Sequence, residues 1–248
     1  MQLDKKNAIV YGAAGSMGSA VARAFAGAGA RVFLTGTTAE PLDALAADIR
    51  AAGGLAETAI VDAMDPGAAD EHAVAVARSA GSLDISFNAV GVPVTQGISL
   101  AEMPLDDFLD PIAMLCRTHF VTATAAARQM TTQGSGVIIM LSATSVLETR
   151  HQMGGFSLAN AGIEALTRAL AGEVGRRGVR VVGMRSNFTP ETYNMTDADA
   201  PDNVRDTLLG RLPRLAEIAG TAVYLASPAA GAMTGAVVNL SCGAIIGG

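Results

Sequence analysis

The stretch YGAAGSMG, residues 11–18, stands between a short apolar run at residues 7–11 and an Ala-rich segment of helical period at residues 16–28. Glycine at a strand-to-helix turn lets the backbone bend tightly and lets a ligand approach it closely. The free N–H groups and the positive dipole end of the helix that follows can then hold an anion such as a pyrophosphate. The stretch therefore predicts a strand, a turn and a helix that open a nucleotide-binding sheet.

The same alternation continues to the end of the chain. β-branched runs predict seven strands, at Asn7–Tyr11, Arg31–Leu34, Thr58–Val61, Leu83–Asn88, Val137–Leu141, Val179–Met184 and Ala236–Leu240. Apolar residues at three- and four-residue spacing predict six helices, at Ser16–Ala28, Pro41–Ala52, Ala68–Ala80, Phe108–Thr131, Gly155–Gly175 and Leu215–Ala226. Such strands pair in parallel through right-handed crossovers that place helices on both faces of the sheet. The predicted fold class is α/β, a single doubly wound Rossmann domain over residues 1–248.

The stretch from Arg185 to Leu212 lacks a clear period and contains two prolines, Pro190 and Pro201. Long irregular segments within compact domains usually serve as lids or binding loops, or are disordered. We interpret this stretch as a substrate lid, with a mobile surface loop as the alternative.

Composition limits the range of partners. Half of the 248 residues are hydrophobic, 16% are charged, and the net charge is −6 with no cluster of Lys or Arg. Nucleic acid and anionic membranes bind basic surfaces, so we expect neither as a partner and favour a small molecule. The N-terminus lacks a signal peptide's apolar stretch, and no apolar run reaches the roughly 18–20 residues of a membrane span, so we expect a cytoplasmic protein. The two cysteines lack neighbours at metal-ligand spacing, and no metal site is expected.

Two further elements follow predicted strands. Asp62 ends the third strand, where its carboxylate can accept a hydrogen bond from an adenine amino group, and Asn88–Gly91 ends the fourth. Ligands of doubly wound sheets bind off the carboxyl ends of the strands, near the point where the strand order reverses. Each element alone is equally a turn glycine or a capping side chain. Together with residues 11–18, they predict a dinucleotide site.

These elements make the chain resemble a short-chain dehydrogenase/reductase along nearly its whole length. A late Met233-Thr234-Gly235 turn, the helix segment Leu166–Glu173 and the strand start Gly178–Val181 add to the resemblance. The resemblance implies a nicotinamide dinucleotide, hydride transfer, and homodimers or homotetramers assembled through the helices at 108–131 and 155–175. The expected cofactor-binding residues are Gly12, Gly15, Ser16, Met17, Gly18, Gly36, Thr37, Asp62, Ala63, Asn88, Ala89, Gly91, Asn160 and Thr189.

The cofactor region departs from the family pattern at several positions. Ser16 stands where the family has glycine, so it must adopt ordinary backbone angles or be strained. Ala89 replaces a second Asn. After the second strand, Gly36 and Thr37 stand where the family has an acidic residue for NAD or a basic one for NADP. Without a carboxylate to repel a 2′-phosphate, NADP is favoured over NAD.

The family's catalytic residues are absent from their expected places. The resemblance implies a Tyr that donates a proton, a Lys four residues later and a Ser thirteen residues earlier. This chain has Phe156, Asn160 and Ala143 there, and Leu115 where the family has a structural Asn. A phenol of ordinary pKa about 10 protonates an alkoxide well only beside a cation, and neither group is present.

Other residues are candidates for the missing roles. His151, on the loop before Phe156, is the replacement acid best suited by type, with a solvated loop histidine as the alternative. Tyr193 is a second candidate acid, or an aromatic that packs the lid. Ser145 is a candidate polarising hydroxyl, as are its neighbours Ser142 and Thr144, although such residues often cap backbone groups. Asn160 keeps hydrogen-bonding capacity for a ribose. His72 and His119 are expected to be structural or solvated.

Three functions remain open at this point, since a fold alone does not decide among them. The first is an NAD(P)-dependent oxidoreductase for a substrate that needs no Tyr-like acid, such as an iminium ion or an activated alkene. The second is a dinucleotide-binding protein without redox turnover, and the third is a lyase or cyclase. A mostly apolar pocket is expected from Val92, Pro93, Val94, Thr144, Ser145, His151, Met153, Phe156 and parts of 185–195.

Overall fold

A computed structural model describes residues 2–148 and 150–246 and shows one sheet of seven parallel strands. The strands are β1 (Asn7–Tyr11), β2 (Arg31–Gly36), β3 (Leu55–Ile60), β4 (Ile85–Asn88), β5 (Gly136–Ala143), β6 (Val179–Ser186) and β7 (Val237–Leu240). Their order in the sheet is β3-β2-β1-β4-β5-β6-β7. The chain runs outward in both directions from β1, so the strand order reverses between β1 and β4, and the doubly wound fold is confirmed.

Helices cover both faces of this sheet. They are α1 (Ser16–Gly27), α2 (Ala39–Ala51), α3 (Pro66–Ala80), α4 (Leu105–Gln133), α5 (Gly155–Val174), α6 (Pro201–Arg205) and α7 (Leu215–Ala226). One buried cluster joins α1, α2 and α7 to the sheet, and a second joins α3, α4 and α5 to the opposite face. In β1, Ala8 and Val10 belong to the first cluster, and Ile9 and Tyr11 to the second. This alternation follows from the two-residue period of a strand.

Several predicted boundaries were wrong by a few residues. β3 begins at Leu55 rather than Thr58, because this edge strand pairs with β2 through residues that are partly exposed and lack an apolar run. β5 and β6 continue beyond their apolar cores, and Ser142 pairs with Arg185 in the register. Strand pairing is made by the backbone and does not require apolar side chains. A prediction based on apolar residues therefore left out these polar strand ends. α3 begins early, at Pro66, because the Asp65 side chain caps its first N–H groups.

The segment predicted to be irregular from 185 to 212 is partly ordered. Its first two residues belong to β6, and the remainder, the 187–212 segment, contains α6 and two short 3-10 turns. Ion pairs join it to the start of α7. The guanidinium of Arg214 donates to both oxygens of Asp197 at 2.7 Å, and Arg211 pairs with Glu217. Among the described helices, none is both long and apolar enough to cross a membrane.

Candidate active site and dinucleotide cradle

A cavity of about 890 Å³ opens at the carboxyl edge of the sheet, beside the reversal of strand order. Its walls come from the first turn of α1, from the ends of β4, β5 and β6 with the loops that follow them, from α4 and α5, and from the 187–212 segment. The lining includes Val92, Val94, Thr144, Ser145, His151, Met153 and Phe156 from the predicted set. Pro93 is absent from this lining, and Arg185 turns into the protein instead. The prediction of a mostly apolar pocket at this place is therefore largely confirmed.

The glycine turn after β1 has the shape of a cradle. Gly12 has a φ of +67°, and a Cβ there would lie 2.8 Å from the carbonyl oxygen of Ala89. A Cβ on Gly18 would collide with the carbonyl oxygen of Gly12. Both positions therefore require glycine. The N-cap of α1, Gly15, supplies no side-chain hydrogen bond, so the first N–H groups of this helix stay available for an anion.

Ser16 does not strain this turn. It is the first residue of α1, and its φ lies outside the left-handed region. Its side chain is exposed, and Met17 beside it lines the cavity. Serine can therefore replace the family's glycine at this position without strain, because the backbone angles here are ordinary ones.

Asn88 shapes the loop after β4. Its Nδ2 donates to Thr122 Oγ1 at 3.0 Å, and its Oδ1 accepts the Val90 N–H at 2.9 Å. The Ala89 N–H donates to the carbonyl of Tyr11, next to the glycine turn. Asn88, Ala89 and Gly91 all line the cavity. The structure therefore joins the first and fourth strand ends into one wall.

The residues predicted to hold the adenosine half lie farther along the same edge. Gly36 pairs with Ile60, and Thr37 follows it, while Asp62 and Ala63 follow β3. Asp62 is exposed, and its Oδ1 accepts the Met64 N–H at 2.8 Å. These four residues share the edge with the cradle but lie outside the cavity lining.

Arg117 is a cation at this loop that the sequence did not reveal. Its Nε donates to the carbonyl of Met64 at 2.8 Å, across 53 residues of chain. It lies on α4, whose apolar residues recur at the spacing of a core helix. Nothing in that pattern marks Arg117 as a residue of a binding site. Since no local pattern links residues 64 and 117, only the fold brings the guanidinium to the Asp62 loop.

The four positions at which the chain departs from its family pattern meet in the cavity. Leu115, Ala143, Phe156 and Asn160 all line it. Asn160 is buried, and its Nδ2 donates to the carbonyl of Phe156 at 2.8 Å, one turn earlier on α5. None of the four side chains is ionisable, so this part of the wall offers neither a proton nor a charge.

His151 lies between two carboxylates at the edge of the cavity. Its Nε2 is 3.6 Å from Glu148 Oε1 and 3.6 Å from Asp206 Oδ2, and 31% of its side chain is exposed. The Arg150 guanidinium also pairs with Asp206. His151 therefore connects the loop before α5 with the 187–212 segment and lines the cavity.

The second candidate acid, Tyr193, belongs to an aromatic pair. Its ring stacks on Phe188 with centroids 5.2 Å apart and planes 10° apart. Both residues line the cavity, and Tyr193 is 61% exposed. Thr189, also in the lining, is buried, and its hydroxyl donates to the carbonyl of Asn187 at 3.1 Å. This side of the cavity thus offers a flat apolar surface.

Ser145 Oγ is a buried polar atom of the lining that lacks a partner in the described part of the chain. The buried ring of His119 lies against the backbone carbonyls of Leu115 and Leu141. His119 was expected to be structural or solvated, and it is buried with a hydrogen bond to its own helix, while it also lines the cavity. Its Nδ1 lies 3.0 Å from the carbonyl oxygen of Leu115. Burial lowers the pKa of His119 to about 4, so the ring is neutral near pH 7.

A buried ion pair supports the cavity from below. Arg185 on β6 contacts Glu164 on α5, and the Ser142 hydroxyl donates to Glu164 Oε1 at 3.0 Å. The Ser142 hydroxyl is therefore committed to the protein, unlike that of Ser145. Within residues 2–148 and 150–246, no group of three or more His, Cys, Asp or Glu side chains is arranged to hold a metal ion.

Comparisons with known proteins agree with this geometry. Residues 12–244 match the family model described as enoyl-(acyl carrier protein) reductase. The D-threitol dehydrogenase of Mycolicibacterium smegmatis is 31% identical over 238 residues, which cover 95% of this chain and 91% of that protein.

Solved structures show the same fold. A short-chain dehydrogenase/reductase of Serratia marcescens superposes with a TM-score of 0.89 at 29% identity, over 98% of this chain and 99% of that one. A 7α-hydroxysteroid dehydrogenase complexed with NADH and 7-oxo glycochenodeoxycholic acid superposes with a TM-score of 0.88 at 26% identity, over 98% and 95% of the two chains. The chain belongs to the short-chain dehydrogenase/reductase family of oxidoreductases.

Proposed function

We propose that this protein is an NAD(P)-dependent oxidoreductase with an atypical active site, which acts on a small apolar organic substrate that carries a C=N or an activated C=C bond. One observation carries the proposal. The glycine cradle opens beside a cavity whose wall has Phe156, Asn160 and Ala143 where the family resemblance implies a phenol, a cation and a hydroxyl. The arrangement keeps the means of holding a dinucleotide and lacks the usual means of protonating an alkoxide.

The residues at the carboxyl edge fit a nicotinamide dinucleotide. The turn from Gly12 to Gly18 offers uncapped N–H groups to a pyrophosphate, and its glycines leave the room that a Cβ would fill. We infer that Asp62 meets the adenine, and that Asn160 and Thr189 meet the ribose and the nicotinamide. A reduced nicotinamide supplies a hydride when bound. NADP is the preferred form, because Gly36 and Thr37 bring no carboxylate against a 2′-phosphate.

The choice of substrate follows from proton accounting. Adding hydride to a ketone carbon produces an alkoxide, which must collect a proton from the protein. Adding hydride to the carbon of a protonated imine turns the π electron pair into a nitrogen lone pair and yields a neutral amine. That step needs no proton donor, so it can proceed with Phe156 in place of a tyrosine. For an activated alkene, His151 is the proposed source of the late proton, because it lies on the cavity beside Glu148 and Asp206.

A dinucleotide-binding protein without redox turnover is the second candidate. The observation that favours it is the Asn160 side chain, which binds its own helix carbonyl at 2.8 Å and is therefore partly withdrawn from a ligand. A lyase or cyclase in the same pocket stays a third possibility on the same ground. Turnover of any C=N or C=C substrate distinguishes these functions from the proposed one.

Titration of NADPH and NADH into the protein, followed by nicotinamide fluorescence, tests the cofactor. We expect saturable binding, and its loss in Gly18→Ala, since the new methyl group meets the Gly12 carbonyl. Gly27→Ala is the matched control, because Gly27 lies on the same helix and a Cβ there meets no atom within 4 Å. A cyclic imine and the ketone of the same carbon skeleton are then compared as substrates. Faster turnover of the ketone would contradict the proposal.

We further propose that the protein forms homodimers or homotetramers through α4 and α5. Phe120 on α4 and Leu158 on α5 are 56% and 53% exposed, which leaves apolar surface on both helices. Light scattering at micromolar concentration tests this: we expect a multiple of 25.1 kDa that falls to the monomer mass in Phe120→Asp. A monomeric mass for the unmodified protein would be decisive against the assembly.

A further inference from the structure

Glu148 is an acidic side chain in the wall of the cavity, and the reaction outlined above gives it no role of its own. It follows the 3-10 turn Thr144–Val146 after β5, and its backbone N–H donates to the Thr144 carbonyl at 3.0 Å. The described lining residues include no Lys, Arg or Asp, so Glu148 is the only carboxylate that they contribute. Its side chain is 14% exposed. A negative charge thus stands in a wall that is otherwise mostly apolar.

The contacts of Glu148 within the protein occupy only part of its carboxylate. Oε1 accepts the backbone N–H of Arg150 at 3.1 Å and lies 3.6 Å from His151 Nε2. No hydrogen bond from residues 2–148 and 150–246 reaches Oε2. The Arg150 guanidinium pairs with Asp206 instead. A carboxylate has about four acceptor sites, so Glu148 keeps hydrogen-bonding capacity for a ligand in the cavity.

The charged groups around Glu148 do not cancel its charge. His151 Nε2 lies at the same distance, 3.6 Å, from Glu148 Oε1 and from Asp206 Oδ2, so two carboxylates share one imidazole. When that imidazole is neutral, the two carboxylates face a single guanidinium, Arg150, and the group stays negative. Charges attract one another more strongly in a partly enclosed pocket than in water. This part of the cavity therefore favours a cation and disfavours an anion.

The rest of the cavity wall suits an organic cation better than a metal ion. In the described part of the chain, no group of three or more His, Cys, Asp or Glu side chains could hold a metal. Met153, Phe156 and the stacked rings of Phe188 and Tyr193 line the same cavity. Such surfaces bind hydrocarbon, and aromatic faces also attract a cation. A protonated imine offers both a positive charge and hydrocarbon, whereas a neutral alkene brings no charge to a carboxylate.

We propose that Glu148 is a specificity-determining residue, whose carboxylate pairs with the positive charge of a protonated C=N substrate and so selects organic cations over neutral C=C compounds. The inference rests on the proposed function in taking this cavity as the substrate pocket. Hydride addition to the carbon of the protonated imine removes the positive charge. Glu148 therefore contributes to substrate binding and not to lowering the barrier, because its attraction is strongest before the reaction.

Three probes that share a phenyl ring and differ in charge test this selection: 2-phenylethylamine, 2-phenylethanol and phenylacetate. Their binding is measured by calorimetry with and without saturating NADPH at pH 8.5, where the amine is still a cation and a histidine is normally neutral. We expect the amine to bind about tenfold more tightly than the alcohol, since a charged hydrogen bond is stronger than a neutral one. Phenylacetate should bind most weakly. Equal affinity for the amine and the alcohol would overturn the proposal.

Two substitutions assign the preference to one carboxylate. Glu148→Gln keeps the shape of the side chain and removes its charge, so the amine should then bind no more tightly than the alcohol. Asp206→Asn is the matched control, because Asp206 also lies 3.6 Å from His151 Nε2 and is 16% exposed, but is outside the cavity lining. This control should keep the preference. A preference that survives Glu148→Gln, or that both substitutions abolish, contradicts the role of Glu148.

Two further readings keep the outcomes separate. The alcohol should bind the unmodified protein and both variants with equal affinity, which shows that the pocket stays intact. Normal dinucleotide binding without a preference for the amine refutes this inference alone. A preference for the amine without dinucleotide binding refutes the proposed cofactor alone.

Discussion

Arg185 donates two hydrogen bonds, from Nε and Nη2, to the two oxygens of the Glu164 carboxylate, and each is 2.7 Å long. Both side chains are buried, with 6% and 5% exposed. Their hydrogen bonding raises the pKa of Arg185 above its usual range. Because the pair links β6 to α5 below the cavity, it holds together two of the elements that carry candidate site residues.

Removing one partner of this pair should be severe. Glu164→Gln leaves a buried guanidinium without its counter-charge, and we expect a loss of about 3–5 kcal/mol in the free energy of unfolding. Urea denaturation measures it. The double variant Glu164→Leu/Arg185→Met removes both charges and should recover most of that loss. If the double variant is less stable than Glu164→Gln, the pair contributes more than its desolvation costs, contrary to this expectation.

Tyr11 offers a substitution that should stabilise the protein. Its hydroxyl is buried without a partner among the described residues, and burial, with a smaller effect of Asp70, raises the pKa of the phenol. Tyr11→Phe removes the orphaned hydroxyl and keeps the ring, so we expect a gain of about 1 kcal/mol in unfolding free energy. Tyr224→Phe, at a 45% exposed position, serves as control and should change little. A lower melting temperature for Tyr11→Phe would indicate an unseen partner.

Acid should weaken the attachment of the 187–212 segment to α7. The hydrogen bonds from Arg211 lower the pKa of Glu217 from its ordinary 4.5 to about 2. A carboxyl with a depressed pKa stabilises the fold above pH 4.5 and loses that contribution as the pH falls toward 2. Since 45% of the side chain is exposed, the effect should be about 1 kcal/mol or less.

The variant Glu217→Gln isolates this contribution. The unfolding free energy of the unmodified protein and the variant is compared from pH 6 to pH 2. The difference between them should shrink as the pH falls through this range. A difference that stays constant with pH would show that the carboxylate charge is irrelevant to the contact.

Carbonyl reduction should be weak and restorable. General acid assistance is typically worth 10²–10⁴-fold, and the cavity wall lacks an acid at Phe156. The double change Phe156→Tyr and Asn160→Lys supplies a phenol and a cation one turn apart on α5. We expect ketone turnover to rise by about 10²-fold or more, and Phe156→Tyr alone should give less. Brisk oxidation of a secondary alcohol by the unmodified protein would show that another residue already acts as the base.

The sequence predicts the sheet well because its signals are local. Apolar strand cores and the glycine turn depend on neighbours in the chain, so β1, α1 and the carboxyl-edge elements follow from periodicity and placement. The prediction for β3 began three residues too late, because the residues of this edge strand are partly exposed and show no apolar run. There the backbone pairing with β2, and not burial, determines the strand.

The candidate site was only partly predictable, because its contacts span the fold. The convergence of Asn88, Phe156 and Asn160 on one cavity was expected from their motifs. His119 and Arg117 carry no motif, and each resembles an ordinary residue of a long helix. Their places beside the cavity and the Asp62 loop depend on how α4 crosses the sheet, which no local pattern records.

The ion pairs between the 187–212 segment and α7 should depend on ionic strength. Arg214 and Asp197 are 36% and 27% exposed, and Arg211 and Glu217 are more exposed still, so dissolved ions screen both pairs. The apolar stack of Phe188 and Tyr193 in the same segment is insensitive to such screening. We therefore expect concentrated salt to weaken the two ion pairs that join the segment to α7, while the contact between Phe188 and Tyr193 stays packed.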